Sequence, residues 1–325
     1  MRRVELFFVF LVEYCFIDGL SGLNWKQDDG FNPEEHENYK LLPPKNSCGT
    51  NGPVIQKESE KIVGGNETKL GEIPWIVQYG FKEEGTFKQV CGGNLISERY
   101  VLTAAHCTDT SADSEKRKFA VRLGEWSNTG DPDSQGDLHA PPVQDIKVAE
   151  YITHENYNST KVATRNDIAL IRLETTATLG FFVQPVCLPY GAAMSKDFTN
   201  QDTLAAGWGI TNSSKPFPLP TILQAIKLTV ADAAKCTEAY SNILIEVNYN
   251  DGQICVGGEE GKDACSGDSG GPLLWKGSFE PNISSRNYLL GITSIMLAKC
   301  ATKGVPAVYQ RITFFMKWIL DHMRA

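Results

Sequence analysis

The sequence predicts an all-β fold, and three observations support that prediction. Short apolar runs recur along the chain, glycine and proline separate them, and no long helical pattern lies between them. The clearest runs span residues 75–79, 94–97, 120–123, 168–173 and 289–294. Short strands with regular turn signals are typical of an antiparallel sandwich or barrel and not of a parallel α/β sheet.

The C-terminal end of the chain is the exception to this pattern. Apolar and aromatic residues recur there at spacings of three and four, as on one face of an amphipathic helix. They are Phe314, Phe315, Trp318, Ile319 and His322. We therefore expect a C-terminal helix that packs against the body of the protein.

Composition excludes several classes of protein. Of the 325 residues, 42% are hydrophobic and 22% charged, which is ordinary for a folded soluble protein. The formal net charge is -8, whereas a nucleic-acid-binding domain is expected to carry a basic surface. We expect no nucleic-acid partner.

Residues 1–22 have the layout of a secretory signal peptide. Two arginines precede an apolar segment, and small residues follow around Gly19–Gly22. A short uncleaved anchor is the alternative, although a spanning helix needs about 20 apolar residues and Glu5 and Glu13 interrupt this segment. No later segment is long enough to span a membrane, so we expect a secreted, extracellular protein without stable membrane association.

The cysteine count agrees with export. Nine cysteines are present, and removing Cys15 with the signal peptide leaves eight, an even set that favours disulfides. Spacing alone leaves 105 pairings of eight cysteines open. Four sequons predict N-glycosylation, at Asn66, Asn158, Asn212 and Asn282.

Residues 23–61 differ in character from the rest of the chain. They are polar, interrupted by proline and glycine, and contain one cysteine, Cys48. This composition predicts an exposed pro-segment without a core of its own. The expected division is a signal peptide at 1–22, a pro-segment or light chain at 23–61, and a catalytic domain at 62–325.

Three short motifs carry the chemistry. Ser269 lies among small residues in Gly267–Pro272, His106 follows an apolar strand in 103–107, and Asp167 precedes another strand in 166–170. A serine hydroxyl is a poor nucleophile unless a histidine base and a group that orients it are nearby. Taken singly, His106 could equally be a core histidine, Asp167 a strand-end cap, and the segment around Ser269 a flexible turn.

Taken together, the motifs resemble those of the chymotrypsin/trypsin family over residues 62–325. The blocks, in order, are IVGG at 62–65, TAAHC at 103–107, NDIALIRL at 166–173, AGWG at 206–209, GDSGGPL at 267–273 and PAVY at 306–309. Chance agreement of this many ordered motifs is far less probable than one isolated match.

The resemblance implies two antiparallel six-stranded β-barrels with the active site between them, and no cofactor or metal. His106 would be the base, Asp167 its orienting carboxylate and Ser269 the nucleophile of a serine endopeptidase. The backbone amides of Gly267 and Ser269 would form the oxyanion hole.

The resemblance also implies a zymogen. Cleavage between Lys61 and Ile62 would create a new N-terminus whose ammonium pairs with Asp268. The disulfides implied by the family are Cys91–Cys107, Cys236–Cys255, Cys265–Cys300 and Cys48–Cys187. The last of these would keep the pro-segment attached as a light chain.

Substrate specificity is expected to depend on Asp263, which stands where trypsin-like proteases carry the carboxylate that binds a basic P1 side chain. Ala264 lacks a hydroxyl for a lysine ammonium, which favours arginine. Ser294, Met296 and Ala307 align with the pocket walls, and Met296 and Ala307 are larger than the usual glycines. The alternative is that Asp263 is a solvated loop aspartate.

Three further blocks resemble arthropod clip-domain proteases of the Easter and prophenoloxidase-activating type. They are LLPPKNSCG, VRLGEW at 121–126 and APPVQDI at 140–146. The chain departs from that group because residues 23–61 contain no six-cysteine clip module, and Ser134 and His139 replace a bridged cysteine pair. The expected partners are protein substrates, an upstream activating protease and serpin-type inhibitors in an extracellular cascade.

Two other interpretations remain open at this point. A catalytically silent protease homologue could act as a binding cofactor, although such proteins lose a triad residue. The loop with Asp131, Asp133, Asp137 and His139 could bind calcium, because carboxylate oxygens suit that ion. Without a recognised calcium-loop spacing, a solvated acidic loop is the simpler interpretation.

Overall fold

The computed structural model describes most of the chain after residue 29. The described residues are 30–53, 65–108, 118–160, 164–210, 219–241, 246–247, 252–261, 263, 265–295 and 300–325, without the side chain of Ile295. The expected signal peptide and the Lys61–Ile62 bond lie outside them, as do Ala264, Met296 and Asn212.

Strands dominate the secondary structure of the described residues. The strands are β1 Asn66–Glu67, β2 Ile76–Glu83, β3 Thr86–Ser97, β4 Tyr100–Thr103, β5 Phe119–Leu123, β6 Ser134–Gln135, β7 Leu138–His139, β8 Gln144–Thr153, β9 Asn158–Ser159, β10 Thr164–Arg165, β11 Ala169–Leu173, β12 Asp202–Gly207, β13 Gln224–Thr229, β14 Gln253–Val256, β15 Pro272–Gly277, β16 Arg286–Ile295 and β17 Ala307–Arg311. The α-helices are α1 Ala105–Thr108, α2 Ala233–Ser241 and α3 Ile312–His322, and 3₁₀ helices cover Pro33–Glu35, Glu37–Leu41 and Gly191–Ala193. The all-β prediction is confirmed.

Six strands form a closed antiparallel barrel in the order β11-β4-β3-β2-β5-β8. β2 is buried on both faces over its first six residues, and β3 over its last seven. A strand that is covered on both faces does not need apolar and polar residues in alternation. This is why the segments at 75–79 and 94–97 lack the alternating pattern of a half-exposed strand. One apolar core cluster extends from this barrel to α3.

The second half of the chain forms an antiparallel sheet in the order β1-β13-β12-β15-β16-β17-β14. A bridge between Val230, which follows β13, and Val256, at the end of β14, joins the two ends of its six main strands. The seventh strand, β1, adds to the edge by pairing Asn66 with Ala225. The expected two-barrel plan is therefore present, with one short strand more than the resemblance implied.

The C-terminal helix is confirmed as α3, but its buried face differs from the predicted one. The buried residues are Ile312, Phe315, Met316, Ile319 and Leu320. Phe314, which was expected on that face, is 37% exposed. The prediction omitted Met316 and Leu320, which complete the spacing of four from Ile312 and set the orientation of the helix. Within the described residues, no helix combines the length and apolar character that a membrane span requires.

Four disulfides join the eight expected cysteines. They are Cys48–Cys187, Cys91–Cys107, Cys236–Cys255 and Cys265–Cys300. The pairing that the resemblance implied is confirmed.

Residues 30–53 are packed against the body of the protein, in contrast to the exposed pro-segment that their composition predicted. His36 Nε2 lies 3.0 Å from Asp321 Oδ1 on α3, and Asn38 Nδ2 donates to the Leu320 carbonyl at 3.0 Å. Further along, the Gly49 carbonyl accepts from the Asn287 amide at 2.9 Å. The segment has no core of its own, so these contacts with distant residues hold it, and local composition could not reveal them.

Candidate active site

His106 is presented by the short helix α1, directly after strand β4. Ala104 and Ala105 on its N-terminal side are fully buried, and the disulfide from Cys107 to Cys91 fastens the helix to β3. The His106 side chain itself keeps 34% of its surface exposed. The local sequence thus anchors the backbone on both sides of the histidine and leaves the ring partly exposed.

Asp167 lies two residues before β11, and its side chain is completely buried. The preceding residue, Asn166, has a φ of 52°, a left-handed conformation that asparagine tolerates better than most residues. A buried carboxylate is costly unless hydrogen bonds satisfy it. Asp167 Oδ1 accepts from the His106 backbone amide at 2.9 Å, and Oδ2 lies 2.8 Å from His106 Nδ1. Ser294 Oγ donates to the same Oδ2 at 2.6 Å.

These contacts determine how His106 titrates. Burial lowers the pKa of His106, but the hydrogen bond and the negative charge of Asp167 outweigh it and raise the pKa above its ordinary value of 6.5. Since Asp167 accepts a hydrogen bond from the Nδ1–H group, the neutral ring keeps its proton on Nδ1 and carries its free lone pair on Nε2. The ring can therefore accept a proton at Nε2 and is stabilised when it does.

Ser269 lies in the turn before β15, between the two barrels. The Gly92 amide of β3 donates to the Ser269 carbonyl at 2.7 Å. Asn94 Nδ2, also from β3, donates to the Gly270 carbonyl at 3.0 Å, and the Gly270 amide donates to Thr293 of β16 at 2.9 Å. Hydrogen bonds from both sheets thus hold the main chain of Ser269 and Gly270 in place.

The surroundings of Gly270 explain why a glycine follows Ser269. Its φ is 78°, and a Cβ at this position would lie 2.2 Å from Thr103 Oγ1 and 2.5 Å from the Gly92 carbonyl. Only glycine permits this approach. Because Thr103 is three residues before His106, the close contact brings the turn that carries Ser269 to the strand end that carries the histidine. The structure therefore brings together the segments that carry the three residues singled out by the motifs.

The two amides expected to form the oxyanion hole have no hydrogen-bond acceptor in the described part of the chain. Within the described residues, neither Gly267 N nor Ser269 N donates a hydrogen bond, whereas the Asp268 amide between them donates to the Cys265 carbonyl at 3.0 Å. Most backbone N–H groups in folded proteins are paired, so two neighbouring free donors form a suitable site for an anionic oxygen.

Asp268, adjacent to the nucleophile candidate, is held by backbone amides. Oδ1 accepts from Gly209 at 2.8 Å, and Oδ2 accepts from Cys265 at 2.9 Å. A Cβ at Gly209 would lie 2.4 Å from this carboxylate, which explains the glycine there. Burial raises the pKa of Asp268 to about 6; the two amides oppose the rise, and the charge of Asp263 adds to it.

A cavity of about 280 Å³ lies beside Asp268. Asp263 lines it as well, and so does Gly65, the first described residue after the expected cleavage bond. Within the described part of the chain, the Asp268 carboxylate forms no ion pair. Two carboxylates facing one cavity, one of them with a raised pKa, form an environment that favours a cation.

Comparison with known proteins decides the family. The model of the family described as Trypsin matches residues 62–319. The chain belongs to the trypsin family. The resemblance drawn from the motifs is thereby confirmed.

Clip-domain proteases are among the relatives. CLIP domain-containing serine protease B4 of Anopheles gambiae is 35% identical over 285 residues, which are 87% of this chain and 74% of that protein. The Spaetzle-processing enzyme of Drosophila melanogaster is 38% identical over 291 residues, 86% of this chain and 69% of that protein. The solved structure of the drosophila Grass clip serine protease of the Toll pathway has a TM-score of 0.70 and 28% identity, covering 86% of this chain and 75% of that one.

The residues expected to bind substrate in this trypsin-family chain are only partly described. Asp263 Oδ2 accepts from the Ala301 amide at 2.9 Å, and the Cys265–Cys300 disulfide joins the segments on which these two residues lie. Ala307 is 3% exposed and pairs with Val256 across β14 and β17.

Sequence reasoning missed several contacts of the site. Ser294 was expected only as a pocket-wall residue, yet its hydroxyl donates to Asp167. Gln310 in turn donates to Ser294, and Gln89 Nε2 donates to the Gly267 carbonyl at 3.3 Å. These bonds join segments far apart in the chain, so no local motif signals them.

Two groups of side chains could be considered as cation sites, the cluster at Cys91, His106 and Cys107 and the acidic loop from Asp131 to His139, and their contacts support neither. Cys91, His106 and Cys107 lie close together, but the two sulfurs form a disulfide and offer no thiolate. In the acidic loop, Asp133 Oδ2 accepts from the Trp126 and Ser127 amides at 2.8 and 3.2 Å, and Asp131 Oδ1 accepts from the Val143 amide at 2.9 Å. These carboxylates shape the backbone of the loop.

The same loop contains a carboxyl group that should make stability depend on pH. Glu125 is 5% exposed, and Arg122 Nη1 lies 3.1 Å from its Oε2. Burial and then the charge of Asp133 raise the pKa of Glu125 from 4.5 to about 7, against the opposing effect of Arg122. Because ionisation is disfavoured in the folded state, this group's stabilising contribution is complete below pH 4.5 and is lost as the pH rises through about 7.

Glu125→Gln should remove this dependence. Relative to the parent, the variant should gain about 2 kcal/mol in free energy of unfolding between pH 5 and pH 8. Urea unfolding at the two pH values measures the difference, in the Ser269→Ala background to prevent self-digestion. Glu174→Gln, at a side chain that is 54% exposed beside Lys147, is the control and should show no such change. An equal effect of Glu125→Gln at both pH values would contradict the assignment.

Proposed function

We propose that this chain is a secreted serine endopeptidase with His106, Asp167 and Ser269 as its catalytic triad. It is made as a zymogen, is activated by cleavage at Lys61–Ile62, and hydrolyses peptide bonds after arginine or lysine. The observation that carries the proposal is the buried Asp167 carboxylate, which binds both the backbone amide and Nδ1 of His106. That arrangement leaves Nε2 as the base.

Catalysis follows from this geometry. His106 Nε2 takes the Ser269 proton as the oxygen attacks the substrate carbonyl, and later gives that proton to the leaving amine. Asp167 keeps the ring in the required tautomer and stabilises its charged form. The unpaired amides of Gly267 and Ser269 stabilise the oxyanion, at roughly 3–4 kcal/mol for each donor. Water then hydrolyses the acyl-enzyme by the same proton transfers.

Activation requires a cation at Asp268. Gly65 lines the cavity beside Asp268, and the Ile62 ammonium formed by cleavage three residues earlier is proposed to enter it. The raised pKa of Asp268 supports this role, because a buried carboxylate without a cation is strained and a paired one is satisfied. The pair would hold the turn from Cys265 to Ser269 in its active conformation.

Asp263 is proposed to select the P1 residue. A basic side chain in the pocket would approach a carboxylate that is fixed by the Ala301 amide. A forked guanidinium matches a carboxylate better than an ammonium does, and Ala264 offers no hydroxyl to an ammonium, so arginine is the expected preference over lysine.

Secretion and a two-chain enzyme are also part of the proposal, with the divisions 1–22, 23–61 and 62–325. Four disulfides are typical of an oxidising compartment, and the sequons at Asn66, Asn158 and Asn282 have exposed asparagines. Cys48–Cys187 would retain the light chain after cleavage.

The proposed setting is an extracellular proteolytic cascade. One relative is a Spaetzle-processing enzyme, and the Grass protease is assigned to the Toll pathway. By analogy, this chain would be cleaved by an upstream protease, act on a protein substrate and be stopped by serpin-type inhibitors.

The test is amide hydrolysis after cleavage at the 61–62 bond. A recognition site for an unrelated protease, placed before Ile62, allows the activator to be removed. Peptide amides with Arg, Lys, Leu or Ala at P1 are then compared, with Ser269→Ala as the control for contaminating protease. The highest kcat/KM is expected for Arg. Asp263→Asn, which keeps the size of the side chain, should lower the Arg-to-Leu ratio by about 10- to 100-fold.

The outcomes separate the parts of the proposal. Preference for Leu or Ala would retain the peptidase and reject the role of Asp263. No hydrolysis after complete cleavage would contradict the enzyme and favour the silent homologue.

A further inference from the structure

Gln310 is a buried residue of β17 that none of the family motifs explains. It is 0% exposed and pairs with Ile292 of β16 and Gln253 of β14. Its Nε2 lies 3.1 Å from Ser294 Oγ. Burying a primary amide is costly unless its polar atoms are bonded, so this position calls for a physical reason.

The neighbouring bonds fix the direction of this contact. Ser294 Oγ lies 2.6 Å from Asp167 Oδ2, and an ionised carboxylate can only accept. The single hydroxyl proton of Ser294 is therefore directed to Asp167, and the group on the other side of Oγ must be a donor. Gln310 supplies that donor. The result is a continuous chain of bonds from Gln310 through Ser294 and Asp167 to His106.

Gln310 keeps this orientation at a cost. Within the described residues, its Oε1 is buried without a hydrogen-bond partner. In the opposite orientation of the amide, Ser294 Oγ would lie between two acceptors, Asp167 Oδ2 and Gln310 Oε1. The single hydroxyl proton could then turn away from Asp167 to Gln310. The Gln310 amide thus keeps its Nε2 bond to Ser294 although its own Oε1 is left without a hydrogen bond among the described residues.

We propose that Gln310 is a positioning residue for the triad, which acts through Ser294 to strengthen the hydrogen bond at Asp167 and so governs how tightly Asp167 holds His106. A donor on Oγ polarises the hydroxyl and removes its rotational freedom, and bonds in such a chain reinforce one another. The kinetic consequence rests on the proposed peptidase function. The effect on His106 titration does not.

Removing the donor has a predictable direction. With a weaker bond from Ser294, more negative charge stays on Asp167 and attracts the protonated ring more strongly. Asp167 is the charged group that acts on His106 among the described residues. The pKa of His106 should therefore rise when Gln310 loses its amide.

Gln310→Met tests this with a side chain of similar length. The acid limb of the pH profile of kcat/KM should move up by about 0.2–0.5 pH unit, and kcat should fall about two- to fivefold with KM unchanged. The same titration is read by NMR from the His106 ring in the uncleaved chain, where no turnover is needed. In the Ser294→Ala background, Gln310→Met should shift neither readout.

Gln253→Met is the matched control. Gln253 lies opposite Gln310, is 1% exposed, and its Nε2 donates to the Thr164 carbonyl at 2.8 Å. Its loss should lower stability to a similar degree without moving the His106 titration. If Gln310→Met fails to fold, Gln310→Val is used, because a β-branched residue suits a strand.

The outcomes are distinct. An unchanged His106 titration in the folded Gln310 variant overturns the proposal, as does a shift that persists in the Ser294→Ala background. An inactive parent enzyme with the expected NMR shifts would instead count against the peptidase function and leave the role of Gln310 supported.

Discussion

Ser269→Ala is expected to lower kcat/KM for the best P1 substrate by about 10⁴-fold or more. The hydroxyl is the proposed nucleophile, and no other group can form the acyl-enzyme from its position in the turn. The backbone should not change, because Gly92, Asn94 and Thr293 bond the main-chain atoms of Ser269 and Gly270 and not the serine hydroxyl. Steady-state hydrolysis of peptide amides by the fully cleaved protein measures the loss.

Ser266 provides the control for this prediction. It lies three residues earlier in the same turn and is exposed. Ser266→Ala should keep kcat/KM within about threefold of the parent. Activity in Ser269→Ala that resists removal by further purification would rule out the assigned nucleophile.

Asp268→Asn is expected to produce a protein that is cleaved normally but remains inactive, with kcat/KM reduced by about 10²- to 10³-fold. Asparagine has no charge for the Ile62 ammonium. Its amide nitrogen would also face one of the two backbone N–H groups, of Gly209 or Cys265, that now donate to the carboxylate at 2.8 and 2.9 Å. Both effects destabilise the active conformation of the turn. Cleavage is followed by mass spectrometry and activity on all four P1 substrates.

Asp263→Asn separates this loss from a general effect of removing charge beside the cavity. That variant should change the P1 preference and keep turnover, whereas Asp268→Asn should lose turnover at every P1. The new amine supplies a second readout: it should resist acylation in the parent and react in Asp268→Asn. Near-parental activity of fully cleaved Asp268→Asn would contradict the activation mechanism.

The sequence predicted the fold class, the disulfides and the C-terminal helix because each has a local or family-wide signature. It could not predict how residues 30–53 dock, since Asn287, Asp321 and Leu320 are more than two hundred residues away from their partners. The buried face of α3 was also predicted incorrectly, because burial of a helix residue depends on what the helix packs against. Aromatic side chains such as Phe314 can lie partly exposed, while the less conspicuous Met316 is fully buried.

The candidate site shows the same division. His106, Asp167 and Ser269 were identified from residue type and order, and the structure brings their segments together. The bonds from Gln310 to Ser294 and from Ser294 to Asp167 were not identified, because a glutamine in a strand gives no signal until β16 and β17 pair near the residues that precede β11. A reactive residue can be identified from its local motif, whereas the residues that hydrogen-bond to it from other strands can be identified only once the tertiary structure is known.

The anchoring of residues 48–52 has a thermodynamic consequence for activation. Cys48 is joined to Cys187, and the Gly52 amide donates to the Gly71 carbonyl at 2.7 Å; beyond the cleavage bond, β1 pairs with β13. The described residues on either side of the Lys61–Ile62 bond are therefore anchored to the body of the protein, and connecting two anchored ends by a chain segment carries an entropic cost. Under the proposed activation, a cut at this bond would end that restraint without detaching residues 30–53, which Cys48–Cys187 retains. Cleavage would therefore add local chain entropy to the effect of the proposed Ile62–Asp268 pair and would not release a subunit.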